Sequence, residues 1–172
     1  MFSGSIHSNI SLHDPRITPE AALRAAEQAQ CHEILRKHGG MDGRILERGS
    51  NLSAGERQLL AFARVLAFDP DILILDEATA NIDSVSEKAI QKATDVVTRG
   101  RTSVIIAHRL STILHCDLIV VLDKGEIIEM GRHEELLKKR GKYFELYSLQ
   151  IWNQEEGGAP VPSSEGPEAP GS

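Results

Sequence analysis

Three short apolar runs punctuate the chain between residues 71 and 123: "DILILD" ending at Asp76, "TSVIIAH" ending at His108 and "CDLIVVLD" ending at Asp123. Each is continuous rather than alternating and of strand length, which is how strands buried on both faces of a parallel sheet read. Between the first two, "EKAIQKATDVVTR" has the spacing of an amphipathic crossover helix. After the third, "DKGEIIEMG" predicts a hairpin with Lys124 and Gly125 at its turn, and helical spacing resumes from His133 to about Gln154. Upstream, residues 1 to about 50 are helical and polar in pattern. "ITPEAALRAAEQAQ" carries a start signal: Thr18 as cap, Pro19 at the first helical position and Glu20 at the positive end. Gly39 and Gly40 close the next short helix. The stretch from Glu155 to Ser172 is Pro, Gly, Ser and Glu without periodicity, the pattern of a disordered tail. No internal repeat is present. The expected fold class is α/β: a helical part followed by a mostly parallel sheet with flanking helices.

Composition narrows the class. A chain of 172 residues suits one ordinary domain, and 41% hydrophobic with 26% charged residues is the balance of a globular protein. The net charge of −6 argues against nucleic acid as a partner, and the densest basic run is the short "LKKRGK" from Leu137 to Lys142. No apolar run approaches the roughly 20 residues that cross a bilayer. The opening "MFSGSIHSNI" lacks the plan of a signal peptide. Cys31 and Cys116 stand far apart with no C-x-x-C, so neither a disulfide framework nor a zinc site is expected, and a reducing cytoplasm is.

The chemistry gathers at element ends. "LSAGE" precedes a helix that is apolar nearly all round, "QLLAFARVLAF". Ser53 and Glu56 have the S-x-x-E spacing of a capping box, and Gly55 lets another group approach the backbone closely. Free N–H groups beside a hydroxyl suit an anion such as a phosphate; the plainer alternative is a well-capped core helix. "ILILDE" ends a strand in two carboxylates, at the sheet edge where α/β proteins place ligands. Asp76 is placed to hold Mg²⁺ through water and Glu77 to polarise an attacking water, unless both are solvated loop carboxylates. His108 repeats that position on the next strand. It either contacts a terminal phosphate or is a structural histidine.

The motifs "LSAGERQ", "ILILDEAT", "ANID" and "IIAHRLST", in this order and spacing, closely resemble those of an ATP-binding cassette (ABC) ATPase: its signature, Walker B, D-loop and switch histidine. The flanks "FSGSIHSNI" and "VLDKGEIIEMGRHEELL" resemble exporter-type members, and the resemblance covers Phe2 to about Leu149. It implies ATP and Mg²⁺ as cofactors and two cassettes paired head to tail. Ser53, Ala54 and Gly55 then touch the γ-phosphate of ATP held by the partner, Glu56 and Asp83 are implied as further cofactor-binding residues, and Asp83 sits at the seam. Asp76 is implied as the metal residue, with Glu77 and His108 as catalytic residues. Residues 1–52 correspond to part of the helical subdomain, 53–154 to the C-terminal part of the ATPase core, and 155–172 to the tail. The implied partners are a second ABC ATPase domain, identical or different, and a transmembrane domain at the cytoplasmic face of the membrane, with no nucleic acid. Two departures stand out: Ala54 and Glu56 replace Gly and Gln of LSGGQ, and "ANID" replaces Ser-Ala-Leu-Asp.

One part is missing from the pattern. A phosphate loop needs G-x-x-x-x-G-K-[ST], and the only Gly-Lys is Gly141-Lys142, followed by Tyr143 and with Leu136 at the first Gly position. The expectation is therefore the C-terminal portion of an exporter subunit, beginning just after the Q-loop and inactive alone. Two other classes remain open: a non-enzymatic fragment that docks on an intact cassette, and an ABC ATPase acting on DNA or ribosomes.

Overall fold

The computed structural model describes residues 1–76, 84–107, 110–114 and 116–155. The chain divides into two compact units, Met1–His108 and Arg109–Ser172. The expected tail residues 156–172 lie outside the described residues.

In the first unit, β1 (Gly4–Ser5) pairs antiparallel with β2 (Arg44–Ile45) around helices α1 (Ile6–Ser11), α2 (Pro19–Gln28) and α3 (His32–His38). The local signals work as the sequence proposes. Thr18 Oγ1 accepts from the Ala21 N–H at 3.2 Å with Pro19 opening α2, and Gly39 ends α3 at φ 82°, where glycine has no Cβ to strain. Helix α4 (Ala54–Phe68) runs through the middle of this unit, with Leu59, Leu60, Phe62 and Ala63 buried. They join one core with Ile6, Ile10, Ala22, Ala26, Ile34 and Ile45. Arg64 ties α4 to α1, its guanidinium donating twice to the Asn9 carbonyl at 3.0 and 2.9 Å. Asn9 in turn accepts from the Phe2 N–H and donates to the Phe2 and Ser5 carbonyls, so the start of the chain is pinned to the same place.

Strand β3 (Ile72–Asp76) leads through α5 (Ser84–Thr98) to β4 (Thr102–Ile106), and β3 and β4 pair in parallel from Ile72 opposite Thr102 to Asp76 opposite Ile106. This is the crossover unit that the apolar runs predict. The expected burial on both faces is corrected: burial alternates. Leu73 is 6% exposed and packs toward α5 with Ala93 and Val97, while Ile72, Ile74, Val104 and Ile106 are 65, 69, 53 and 51% exposed. The physical reason is layering. Helices cover one side of the two strands, and no described residue of this unit closes the other.

The second unit holds α6 (Leu110–Ile113), β5 (Ile119–Asp123), β6 (Glu126–Gly131), α7 (His133–Lys139) and α8 (Lys142–Glu155). The run "CDLIVVLD" does not enter a parallel pair among the described strands. It becomes β5 of an antiparallel hairpin with β6, turning at Lys124 and Gly125 with φ 49° and 85°. Ile119 and Val121 are buried with Leu136 and Tyr143, whereas Val120 and Leu122 are exposed, so this sheet too is covered on one face. The helical stretch predicted from His133 breaks in two at Arg140, which is left-handed at φ 52°.

Candidate functional site

The capping-box residues come together as their spacing requires. Ser53 is extended (φ −67°, ψ 168°), its Oγ accepts from the Glu56 N–H at 3.1 Å, and its own N–H donates to Glu56 Oε2 at 2.7 Å. Leu52 is buried just before the turn, and its carbonyl accepts from Arg57 Nη1 at 2.7 Å. Ser53 and Ala54 are exposed and Gly55 is buried. No acceptor among the described residues meets the Ala54 and Gly55 N–H groups, so the positive end of a 15-residue helix keeps two donors unmet beside the exposed Ser53 hydroxyl. That donor set fits a phosphate oxygen.

Glu56 has a further partner that the motif does not suggest. Lys37 Nζ, from the last turn of α3, donates to Glu56 Oε1 at 3.0 Å and to Oε2 at 3.4 Å. Burial works to raise the Glu56 pKa, but the Ser53 N–H and the Lys37 ammonium outweigh it and hold the carboxyl below the ordinary glutamate range. The carboxylate is thus charged, capping and paired at once. Nineteen positions separate Lys37 from Glu56, too far for local spacing to reveal the contact.

Asp76 is the last residue of β3, exposed, and lies opposite Ile106, the last residue of β4. Glu77 and His108, the other residues expected at this edge, and Asp83, expected at the seam between domains, lie outside the described residues.

The single Gly-Lys pair is accounted for by the chain's own packing. At the start of α8, the Lys142 and Tyr143 N–H groups donate to the two oxygens of the Glu129 carboxylate at 2.8 and 2.9 Å. A Cβ on Gly141 would overlap that carboxylate. An internal glutamate therefore fills the anion position at this helix end.

The exposed, capped N-terminus of α4 and the parallel β3–β4 pair ending in Asp76 are features of a nucleotide-binding α/β domain. Residues 3–80 match the family model described as "ABC transporter". The chain is 56% identical over 151 residues to a Bacillus subtilis protein named "Probable multidrug resistance ABC transporter ATP-binding/permease protein YheH", covering 87% of this chain and 22% of that one. A Staphylococcus aureus ATP-binding/permease protein named for multidrug export is 47% identical over 151 residues, covering 87% of this chain and 26% of that one. Among solved structures, a bacterial Atm1-family ABC exporter with ATP bound superposes with a TM-score of 0.76 at 38% identity, over 87% of this chain and 26% of that chain. The chain belongs to the ABC transporter family, and its fold is that of part of the family's ATP-binding domain. It spans about a quarter of the length of the relatives that it matches. Among the described residues no helix is long and apolar enough to cross a membrane.

Proposed function

We propose that this chain works as part of the ATP-hydrolysing subunit of an ABC exporter, with Ser53, Ala54, Gly55 and Glu56 completing the ATP site of a second ATP-binding domain. The observation that carries this reading is the start of α4: Ser53 and Glu56 cap each other, while no acceptor among the described residues meets the Ala54 and Gly55 N–H groups. A helix end of this kind, satisfied by its own side chains yet keeping two donors free, is ready to receive a γ-phosphate from outside its own chain. Asp76 would hold Mg²⁺, Glu77 would orient and polarise the attacking water, His108 would hydrogen-bond the terminal phosphate, and Asp83 would lie at the seam between the domains. Bound MgATP supplies the phosphoryl bond whose cleavage drives export. The remaining partner is a transmembrane domain at the cytoplasmic face, and the net charge of −6 speaks against nucleic acid.

Alone, the 172-residue chain takes up MgATP only weakly and does not turn it over. Its one Gly-Lys pair is closed by Glu129, so no lysine-bearing cradle is free for the phosphates. Micromolar MgATP affinity in a calorimetric titration of the chain would contradict this. The trans role is tested in a subunit completed with the upstream part of the Bacillus subtilis relative. There Ser53→Arg should still load ATP, while hydrolysis collapses. Normal hydrolysis by Ser53→Arg removes the signature residues from the reaction.

A further inference from the structure

Glu56 stands where the family pattern has glutamine, and so places a carboxylate at the mouth of an anion site. The structure supplies a counter-charge from another helix. Lys37 Nζ reaches both Glu56 oxygens, at 3.0 and 3.4 Å, and one of those oxygens, Oε2, is the acceptor of the Ser53 N–H. We infer that Lys37 is a positioning residue of the trans ATP site: it cancels the charge of Glu56 and holds its carboxylate turned into the cap, so that the start of α4 meets a phosphate without repelling it. The inference rests on the reading of Ser53 to Glu56 given above, and deepens it.

The alternative role, a surface ion pair that stabilises the fold, is a weak one. The Lys37 side chain is 56% exposed, and pairs of that kind add little to stability because water competes for both charges. The effect on a bound phosphate is different in kind. An unpaired carboxylate within one helical turn of a phosphate opposes it directly, and more strongly once a second domain excludes water from the seam. A glutamine at position 56 would complete the same capping box without the charge. Lysine at position 37 is therefore needed only while residue 56 is glutamate, and the two positions form one functional unit.

A double-substitution cycle in the completed subunit isolates that dependence. With Glu56 present, Lys37→Met should raise the ATP concentration for half-maximal hydrolysis by on the order of fivefold. Lys37→Arg, which keeps the charge, should stay close to the unsubstituted protein. In a Glu56→Gln background the same Lys37→Met change should be silent. ATP loading onto the separated subunit should not respond in any variant, and the melting temperature of the 172-residue chain should move by no more than about 2 °C. An equal effect of Lys37→Met in both backgrounds overturns the inference, as does a large drop in melting temperature that accounts for the lost activity. If Ser53→Arg abolishes hydrolysis while the cycle shows no coupling, only the Lys37 inference fails. If Ser53→Arg is active, the functional reading beneath it fails first.

Discussion

Neighbouring positions on strand β3 should respond to substitution in opposite ways. Leu73 is 6% exposed and packed among Ala93 and Val97, whereas Ile72 and Ile74 on either side are 65 and 69% exposed. Full burial of an isoleucine side chain contributes about 1.5–3 kcal/mol. With about a third of each side chain removed from water, Ile72 and Ile74 realise about 0.5–1 kcal/mol apiece. Threonine keeps one methyl and the β-branched preference for a strand. Ile72→Thr and Ile74→Thr together should therefore cost the chain no more than about 1–1.5 kcal/mol. Leu73→Ala, which opens a cavity against α5, should cost about 2–5 kcal/mol by itself. Urea unfolding followed by far-UV circular dichroism gives both numbers, and binding of a hydrophobic dye should fall in the threonine pair as the apolar face becomes polar. If Ile74→Thr alone destabilises as much as Leu73→Ala, the outer face is packed. The one-layer description of β3 and β4 is then wrong.

Three further outcomes follow from the helix ends. Ser53→Ala should lower stability by about 1 kcal/mol near neutral pH, read from urea melts, because the Glu56 N–H loses its acceptor. The folded-state pKa of Glu56 is depressed, so the stability it contributes is complete above the ordinary glutamate range and is lost as pH falls through the folded value; the gap in stability between the unsubstituted chain and Glu56→Gln should shrink in acid accordingly. At the start of α8, Gly141→Ala should destabilise by about 1–3 kcal/mol, since its Cβ displaces the carboxylate that satisfies two N–H groups. A neutral result there would mean that Glu129 is not the cap.

What could be read from the chain alone follows the range of the interactions. Thr18 with Pro19, Gly39 after α3, Ser53 with Glu56, and Lys124-Gly125 at the β5–β6 turn act within a few residues, and each performs the part its spacing announces. The crossover from β3 through α5 to β4 was equally legible, because period and length distinguish helix from strand. Burial was not. "ILIL" and "SVII" read as strands enclosed on both faces, yet an apolar side chain says only that it can be buried, not that a second layer is present to bury it. The contact of Lys37 with Glu56 was invisible for another reason, since α3 and α4 meet through tertiary packing. The break at Arg140 likewise reflects Glu129, a strand residue that claims the N–H groups of Lys142 and Tyr143 and so sets where α8 begins.

The central claim, that the start of α4 serves an ATP site on another domain, is tested most directly by mixing two defective subunits. One carries Ser53→Arg in this chain; the other has its phosphate-loop lysine replaced in the upstream part supplied by the relative. If each site is built across the pair, one composite site in the mixed dimer holds both defects and the other holds neither. Nucleotide should then be trapped at one site per mixed dimer, although each parent traps none. No trapping, in dimers whose mixed pairing has been verified, would contradict the account.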